Sequence, residues 1–275
     1  MSIANDFRES IYGRPATVKA KLNLFDNHIA QYVGKVAQEQ FDERVVQDWK
    51  DNDLSVGTIK MLFVLLKSFV KFSYGRNVDT KKLNFQHFSN RMRPKQKLKV
   101  WTRLEAQTAL DTANKRDIEL FNVMTVALGT GLRKGELFAL TWGDVDILSG
   151  YITVNKSLDT ETGAIGPTKT KQVRTVQMNG MVAKVIEKGY TPGKEGDRCF
   201  RTFNPNRRLQ RLCRLAGVPE ISFHDLRHTF ATTCLEKGMS PKWVSSTLGH
   251  AKLSTTLDVY WQHFQQKVDL EGLYD

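Results

Sequence analysis

The chain has 275 residues, with 41 Lys+Arg against 29 Asp+Glu and a formal net charge of +12. A hydrophobic fraction of 40% and a charged fraction of 25% are ordinary for a folded protein, which excludes general disorder and low complexity. The longest apolar run, Met61 to Leu66, stops at Lys67 and falls well short of the ~20 residues of a membrane span.

Asp6, Arg8 and Glu9 near the start, with no apolar stretch behind them, argue against a secretory signal. Cys199, Cys213 and Cys234 are scattered and odd in number, so no disulfide framework is expected and a reducing, cytoplasmic setting is. The basic balance makes nucleic acid the leading partner, through neutralised phosphates and released counterions. The excess is uneven: the first hundred residues hold 18 Lys/Arg against 10 Asp/Glu.

In chain order, Val18, Leu22, Phe25, Ile29, Val33 and Val36 recur at three and four residues and predict one helical stripe after Pro15. A short helix through Val45, Val46 and Trp49 follows. Ser55 opens a third, whose apolar face runs from Ile59 to Phe72 and stops at Gly75. A last short helix holds Phe85 and Phe88. Residues 1–90 therefore read as a helical domain. Arg91, Arg93, Lys95, Lys97 and Lys99 alternate around Pro94, which disfavours a helix. Residues 91–100 read as an extended basic linker, either a solvated hinge or a DNA contact.

The second domain, 101–275, opens on a capping box of Thr102 and Glu105, with Trp101 placed to staple the first turn. Helices are expected to about Asn114 and from Asp117 to about Thr130. Tyr151 to Asn155 alternates as a strand and pairs with Val173 to Val176 across a turn rich in Gly and Thr. Asn179, Asn204 with Pro205, and Ser240 with Pro241 announce further helices, and Gly238 and Gly249 read as stops. Trp142 and Trp243 read as core. The fold class is mainly α with a small antiparallel β-sheet (α+β).

Four of the six histidines (His224, His228, His250, His263) fall in the last quarter. His224 and His228 stand four apart, as in a zinc protease helix, but Asp225 replaces the required Glu and Arg227 is a poor neighbour for a dication. No Gly-Lys is followed by Ser or Thr, so no P-loop is present. Phosphate chemistry without a metal remains. Guanidinium forks match the oxygens of a phosphodiester and stay charged. Arg133 follows Gly131 at a turn into a helix, and Arg227 shares a helical face with His224. Lys169 lies in the β-turn region. Tyr260 sits ten residues after His250, in a short helix that Ser254 is placed to cap. A phenol with a reference pKa of about 10 needs cations or a base to become a nucleophile.

Five stretches then come in order: A-L-G-T-G-L-R-K-G-E-L (Ala127 to Leu137), T-K-T-K-Q-V-R-T-V (Thr168 to Val176), H-D-L-R-H-T-F (His224 to Phe230), L-G-H (Leu248 to His250) and Tyr260. Together they resemble the tyrosine recombinases, or phage-type integrases. The resemblance spans Trp101 to the end, and the bundle before it resembles the family's core-binding domain. It implies that Tyr260 attacks the scissile phosphate and forms a 3′-phosphotyrosyl bond. Arg133 and Arg227 would clamp the non-bridging oxygens, and Lys169 would protonate the departing 5′-oxygen. His224 would assist proton transfer at the nucleophile. His250 would orient the phosphate or Tyr260, and Glu136 would brace Arg133 or the histidines. Lys169 is favoured over Lys171 because the family's lysine precedes the Thr and lies five residues before Arg174. His228 and His263 match no family role and read as structural or DNA-facing.

The resemblance further implies no metal and no cofactor. It implies double-stranded DNA with an inverted-repeat core site as the partner. It also implies a homotetramer on DNA, a monomer or weak oligomer off it, and an accessory directionality factor. The basic linker would cross the duplex edge between two clamping domains. The early start of the first strong helix suggests a two-domain form without an arm-binding domain. Val268, Leu270 and Leu273 are candidates to dock into a neighbouring subunit. Integration or excision of a mobile element leads. Resolution of chromosome or plasmid multimers, a type IB topoisomerase and a catalytically silent DNA-binding regulator are the alternatives, the last opposed by the intact residue set.

Overall fold

The computed structural model describes residues 3–13, 15–33, 48–49, 54–75, 98–160, 162–170, 172–190 and 192–260. The readings made for Val36, Val45, Val46, Phe85, Phe88, Arg91, Arg93, Lys95, Lys97, Lys171, His263 and the tail from Val268 lie outside them. The chain divides into two compact units, Met1–Gln96 and Lys97–Asp275. The architecture is mainly helical, with small antiparallel sheets in the second unit only, among the described residues. No described helix is long and apolar enough to cross a membrane.

The first unit holds α1 (Ile3–Ser10), α2 (Pro15–His28), a 3-10 turn (Ala30–Tyr32) and α3 (Val56–Tyr74). The single stripe expected from Val18 to Val36 is broken within the described residues: α2 ends at His28, and Ile29 leaves helical geometry with φ −127°. Ile29 is still buried in the core, and Ala30, Tyr32 and Val33 pack partly buried against it. α1 carries no long apolar period: it is eight residues, with Phe7 buried, Ala4 packed beside the core and Ile3 exposed. Ser55 caps α3 by accepting from the Thr58 N–H at 3.1 Å, and Gly75 closes it at φ +94°. Phe7, Phe25 and Phe69 pack pairwise in tilted and edge-on pairs at 5.0–5.3 Å between ring centroids, and Trp49 meets Phe63 edge-on at 5.5 Å. Such aromatic pairs add ~0.5–1.5 kcal/mol each to the burial of their area.

The second unit runs α4 (Arg103–Arg116), α5 (Ile118–Thr130), α6 (Lys134–Ala139), β1 (Val145–Asp146), β2 (Tyr151–Val154), β3 (Lys156–Leu158), β4 (Ile165–Pro167), β5 (Arg174–Gln177), α7 (Gly180–Gly189), α8 (Pro205–Ala216), α9 (Phe223–Glu236), α10 (Pro241–Leu248) and α11 (Leu253–Tyr260). The capping box of Thr102 and Glu105 forms in both directions. Trp101 is buried and reaches across the unit, its indole N–H donating to the Pro219 carbonyl at 2.9 Å. Asp117, Asn179, Asn204 and Ser240 cap α5, α7, α8 and α10. Ser254 lies within α11 rather than before it. Trp142 is buried as expected, but Trp243 is 41% exposed because α10 turns Val244 and Leu248 to the core instead.

The sheet order is β1-β2-β5, all antiparallel, with Ile152 opposite Val176 and Val154 opposite Arg174. A separate hairpin, β3-β4, was not read from the sequence. α5 is the central helix, packing on α4, α7 and α9, with Leu120, Val123, Met124, Val126 and Ala127 all buried. A smaller cluster of Phe230, Ala231, Cys234, Leu235, Val244, Leu248 and Tyr260 joins α9, α10 and α11.

Candidate active site

Two left-handed glycines set the backbone around which the candidate residues gather. Gly131 (φ +66°) ends α5, and a Cβ there would lie 2.5 Å from the Phe230 ring and 2.7 Å from Leu248. Gly249 (φ +66°) ends α10, and a Cβ there would lie 3.0 Å from the Arg174 guanidinium. Only glycine adopts this conformation without cost and permits such approach.

The end of α10 then serves three arginines through three successive carbonyls. The Arg174 Nε donates to the Thr247 oxygen at 2.8 Å, Arg227 to Leu248 at 2.8 Å and Arg133 to Gly249 at 3.3 Å. Helix C-terminal carbonyls lack helical partners and carry partial negative charge, so cations are favoured there. Arg227 also donates to the Gly131 carbonyl at 2.8 Å.

Glu136, 1% exposed on α6, is the shared carboxylate. Arg174 grips both of its oxygens at 3.2 and 2.7 Å, Arg133 approaches at 2.8 Å, and the Arg133 N–H donates at 3.0 Å. Burial pushes the Glu136 pKa up, but the Arg174 hydrogen bond and charge, with Arg133, outweigh it and hold the carboxyl below its ordinary value. Of the two sequence alternatives, Glu136 bonds Arg133 and not the histidines. Arg174, which sequence reasoning used only as a spacing mark, is its stronger partner.

Arg227 is buried on α9 and has no carboxylate bonded to it among the described residues. Burial, then repulsion from Arg133, lowers its pKa, and it stays a cation at neutral pH. Three guanidinium charges thus face one carboxylate.

Tyr260 ends α11 and is 1% exposed. Its hydroxyl is 2.6 Å from the His228 Nδ1. Burial pushes its pKa up to about 12, with Arg227 pulling the other way. His224 is exposed at the start of α9 and meets His228 edge-on at 4.9 Å between centroids. Desolvation, then the Arg227 charge, lowers the His224 pKa, with smaller parts from Arg133 and Lys169. Burial first, then neighbouring charges, brings His228 and His250 each down to about 4. The His250 Nδ1 lies 2.8 Å from the Thr256 hydroxyl, so its hydrogen-bond partner is Thr256 rather than Tyr260. Lys169 is exposed in the turn between β4 and β5, and Lys99 is exposed ahead of α4. A cleft of about 430 Å³ beside the cluster is walled by Arg174, Lys242, Gly249 and His250 among others.

Comparison with known proteins shows the family and the fold. Residues 99–267 match the phage integrase family. The chain is 24% identical over 290 residues to the ICEBs1 integrase of Bacillus subtilis, covering 94% of this chain and 78% of that one. It is 27% identical over 231 residues to tyrosine recombinase XerA of Pyrococcus furiosus, covering 80% and 76%. Against tyrosine recombinase XerD of Neisseria meningitidis it is 32% identical over 171 residues, 56% of this chain and 54% of that one. Among solved structures, the Tn1549 transposon integrase in complex with transposon right end DNA superposes with TM-score 0.78 at 20% identity, covering 94% and 95%. The XerH recombinase bound to palindromic difH substrate gives 0.63 at 17% identity, covering 92% and 77%. These two likenesses establish the fold. The chain belongs to the phage integrase family of tyrosine recombinases, enzymes of DNA recombination.

Proposed function

We propose that this protein is a site-specific integrase that moves a mobile element by cutting and rejoining DNA through Tyr260. The observation that carries the reading is the surplus of buried positive charge. Arg133 and Arg174 share one carboxylate, Glu136, Arg227 is bonded only to backbone carbonyls, and buried charge without a counter-ion is costly. A phosphodiester supplies that counter-ion, and its transition state supplies more negative charge still.

In this reading the Tyr260 oxygen bonds to phosphorus as the bond to the 5′-oxygen breaks. Arg133, whose side chain is 23% exposed, meets the phosphate first, with Arg227 behind it. Lys169 protonates the departing 5′-oxygen, and its turn between β4 and β5 lets it swing to that atom. His224 assists proton transfer at the phenol, and His250 bonds the phosphate edge. The phenol is covered, so the end of α11 must shift when DNA enters. The guanidinium cluster provides the charge stabilisation, and neither a metal nor a cofactor is required.

Residues 1–90 act as the core-binding domain, 91–100 as the basic segment along the duplex, with Arg91, Arg93, Lys95, Lys97 and Lys99 on phosphates, and 101–275 as the catalytic domain. The DNA is an inverted-repeat core site bound by four copies, with an accessory directionality factor. Similarity to the ICEBs1 and Tn1549 integrases supports a mobile-element role over multimer resolution.

Covalent capture tests this. The protein is mixed with fragmented source DNA in EDTA, denatured in SDS, and the attached DNA is sequenced beside a Tyr260→Phe control. An adduct that needs Tyr260, persists in EDTA and maps to the ends of a mobile element is expected. Adducts at one symmetric chromosomal site would favour resolution, and adducts scattered everywhere a topoisomerase.

A further inference from the structure

The histidine that touches the nucleophile is not one of those assigned a role from the sequence. His228 follows Arg227 on α9, four residues after His224, and its Nδ1 lies 2.6 Å from the Tyr260 hydroxyl. The rings sit 5.7 Å apart at 57°, so the contact is along the hydrogen bond and not a stack. Tyr260 is 1% exposed, and water cannot replace the partner. Resting on the reading of Tyr260 as nucleophile, we propose that His228 is a positioning residue that fixes the direction of the Tyr260 phenol oxygen by accepting its hydrogen bond.

Three observations carry this. First, a phenol is a donor, and an imidazole can accept only when the ring is neutral. The burial that lowers His228 keeps it neutral at working pH, so Nδ1 offers a lone pair and Nε2 carries the proton. Second, no other described side chain is bonded to the Tyr260 hydroxyl; His250 bonds Thr256, and the exposed His224 packs against His228. Third, Arg227 and His228 are adjacent on one helix, and Arg227 is locked to the Gly131 and Leu248 carbonyls. The partner of the phenol and the cation of the phosphate site are therefore held in one frame. A nucleophile must be held within fractions of an ångström of its line of attack for orientation to help.

The experiment is single-turnover cleavage of a nicked DNA substrate that traps the phosphotyrosine, run with DNA affinity and thermal unfolding on the same full-length variants. His228→Leu fills the space without an acceptor. It is expected to slow cleavage roughly tenfold, the value of one hydrogen bond, with DNA affinity unchanged. His228→Asn places its amide oxygen where Nδ1 sits and is expected to recover cleavage to within about threefold. His228→Gln, which carries its amide one bond further out, is expected to stay slow and serves if the Leu variant does not fold. Cleavage by the Leu or Gln variant at the unaltered rate would overturn the proposal, as would an Asn variant as slow as they are. A Tyr260→Phe control separates the two levels: cleavage that survives it defeats the nucleophile reading itself, whatever the His228 variants do.

Discussion

The arginine cluster and the β4–β5 turn that carries Lys169 are built by opposite means. In the cluster, Glu136, Arg174 and Arg227 are buried, and every guanidinium is tied to a carbonyl at the end of α10. Lys169 stands exposed in a turn held by a Thr168 hydroxyl donating to the Gln172 carbonyl at 3.1 Å. The groups that only bind charge are thus organised in advance, where low dielectric strengthens them and reorganisation is avoided. The group that delivers a proton to the leaving atom in the proposed mechanism stands instead on an exposed turn. Removal of a cluster residue should therefore cost folding and function together, and removal of the turn residue function alone.

The sharpest break in that contrast is Glu136→Ala. Arg174 and the partly exposed Arg133 lose their carboxylate, and the loss should be about 3–5 kcal/mol, measured by denaturant unfolding. Gly249→Ala comes next, at about 1–2 kcal/mol, because alanine is forced into the left-handed region and meets Arg174. The same melt should also report a loosened Arg174.

Acidification separates the regions by a milder route. His228 and His250 are lowered from 6.5 to about 4, so the unfolded chain binds their protons more readily. Their contribution is complete above pH 6.5 and is lost as pH falls towards 4. Glu136, lowered from 4.5, adds its loss below that value. Thermal unfolding between pH 7 and 4 should show a steady fall, and a flat profile would place the histidines in water. The smallest effect on stability is Lys169→Ala, within about 0.5 kcal/mol. Cleavage should nonetheless drop roughly 100-fold or more, the worth of a general acid, and a 5′-bridging phosphorothiolate, whose sulfur leaves unprotonated, should restore it.

The parts of the molecule readable in advance were those encoded by neighbours in the chain. Thr102 with Glu105, Ser55 with Gly75, and Ser240 with Pro241 are each within a few turns of one another, so local chemistry decides them. The same holds for the β2-β5 pairing, fixed by alternation. What was missed depends on distant partners. Arg174 and Glu136 are 38 residues apart, and His228 and Tyr260 are 32 apart. Nothing in the spacing of H-D-L-R-H says that its second histidine, rather than His250, turns to the phenol. Nor could one apolar period show that α10 prefers Val244 and Leu248 inward over Trp243. The departure of Ile29 from α2 is hidden from the apolar period because Ile29 is buried all the same.

The carbonyls of Thr247, Leu248 and Gly249 work as a ruler graduated in single residues. Each residue of helix turns by about 100° and rises about 1.5 Å. Deleting one residue between Ser240 and Gly249 would therefore mis-seat three guanidiniums at once, though no arginine had been touched. Side chains along α10 can change at their own modest cost, but the length of that helix cannot.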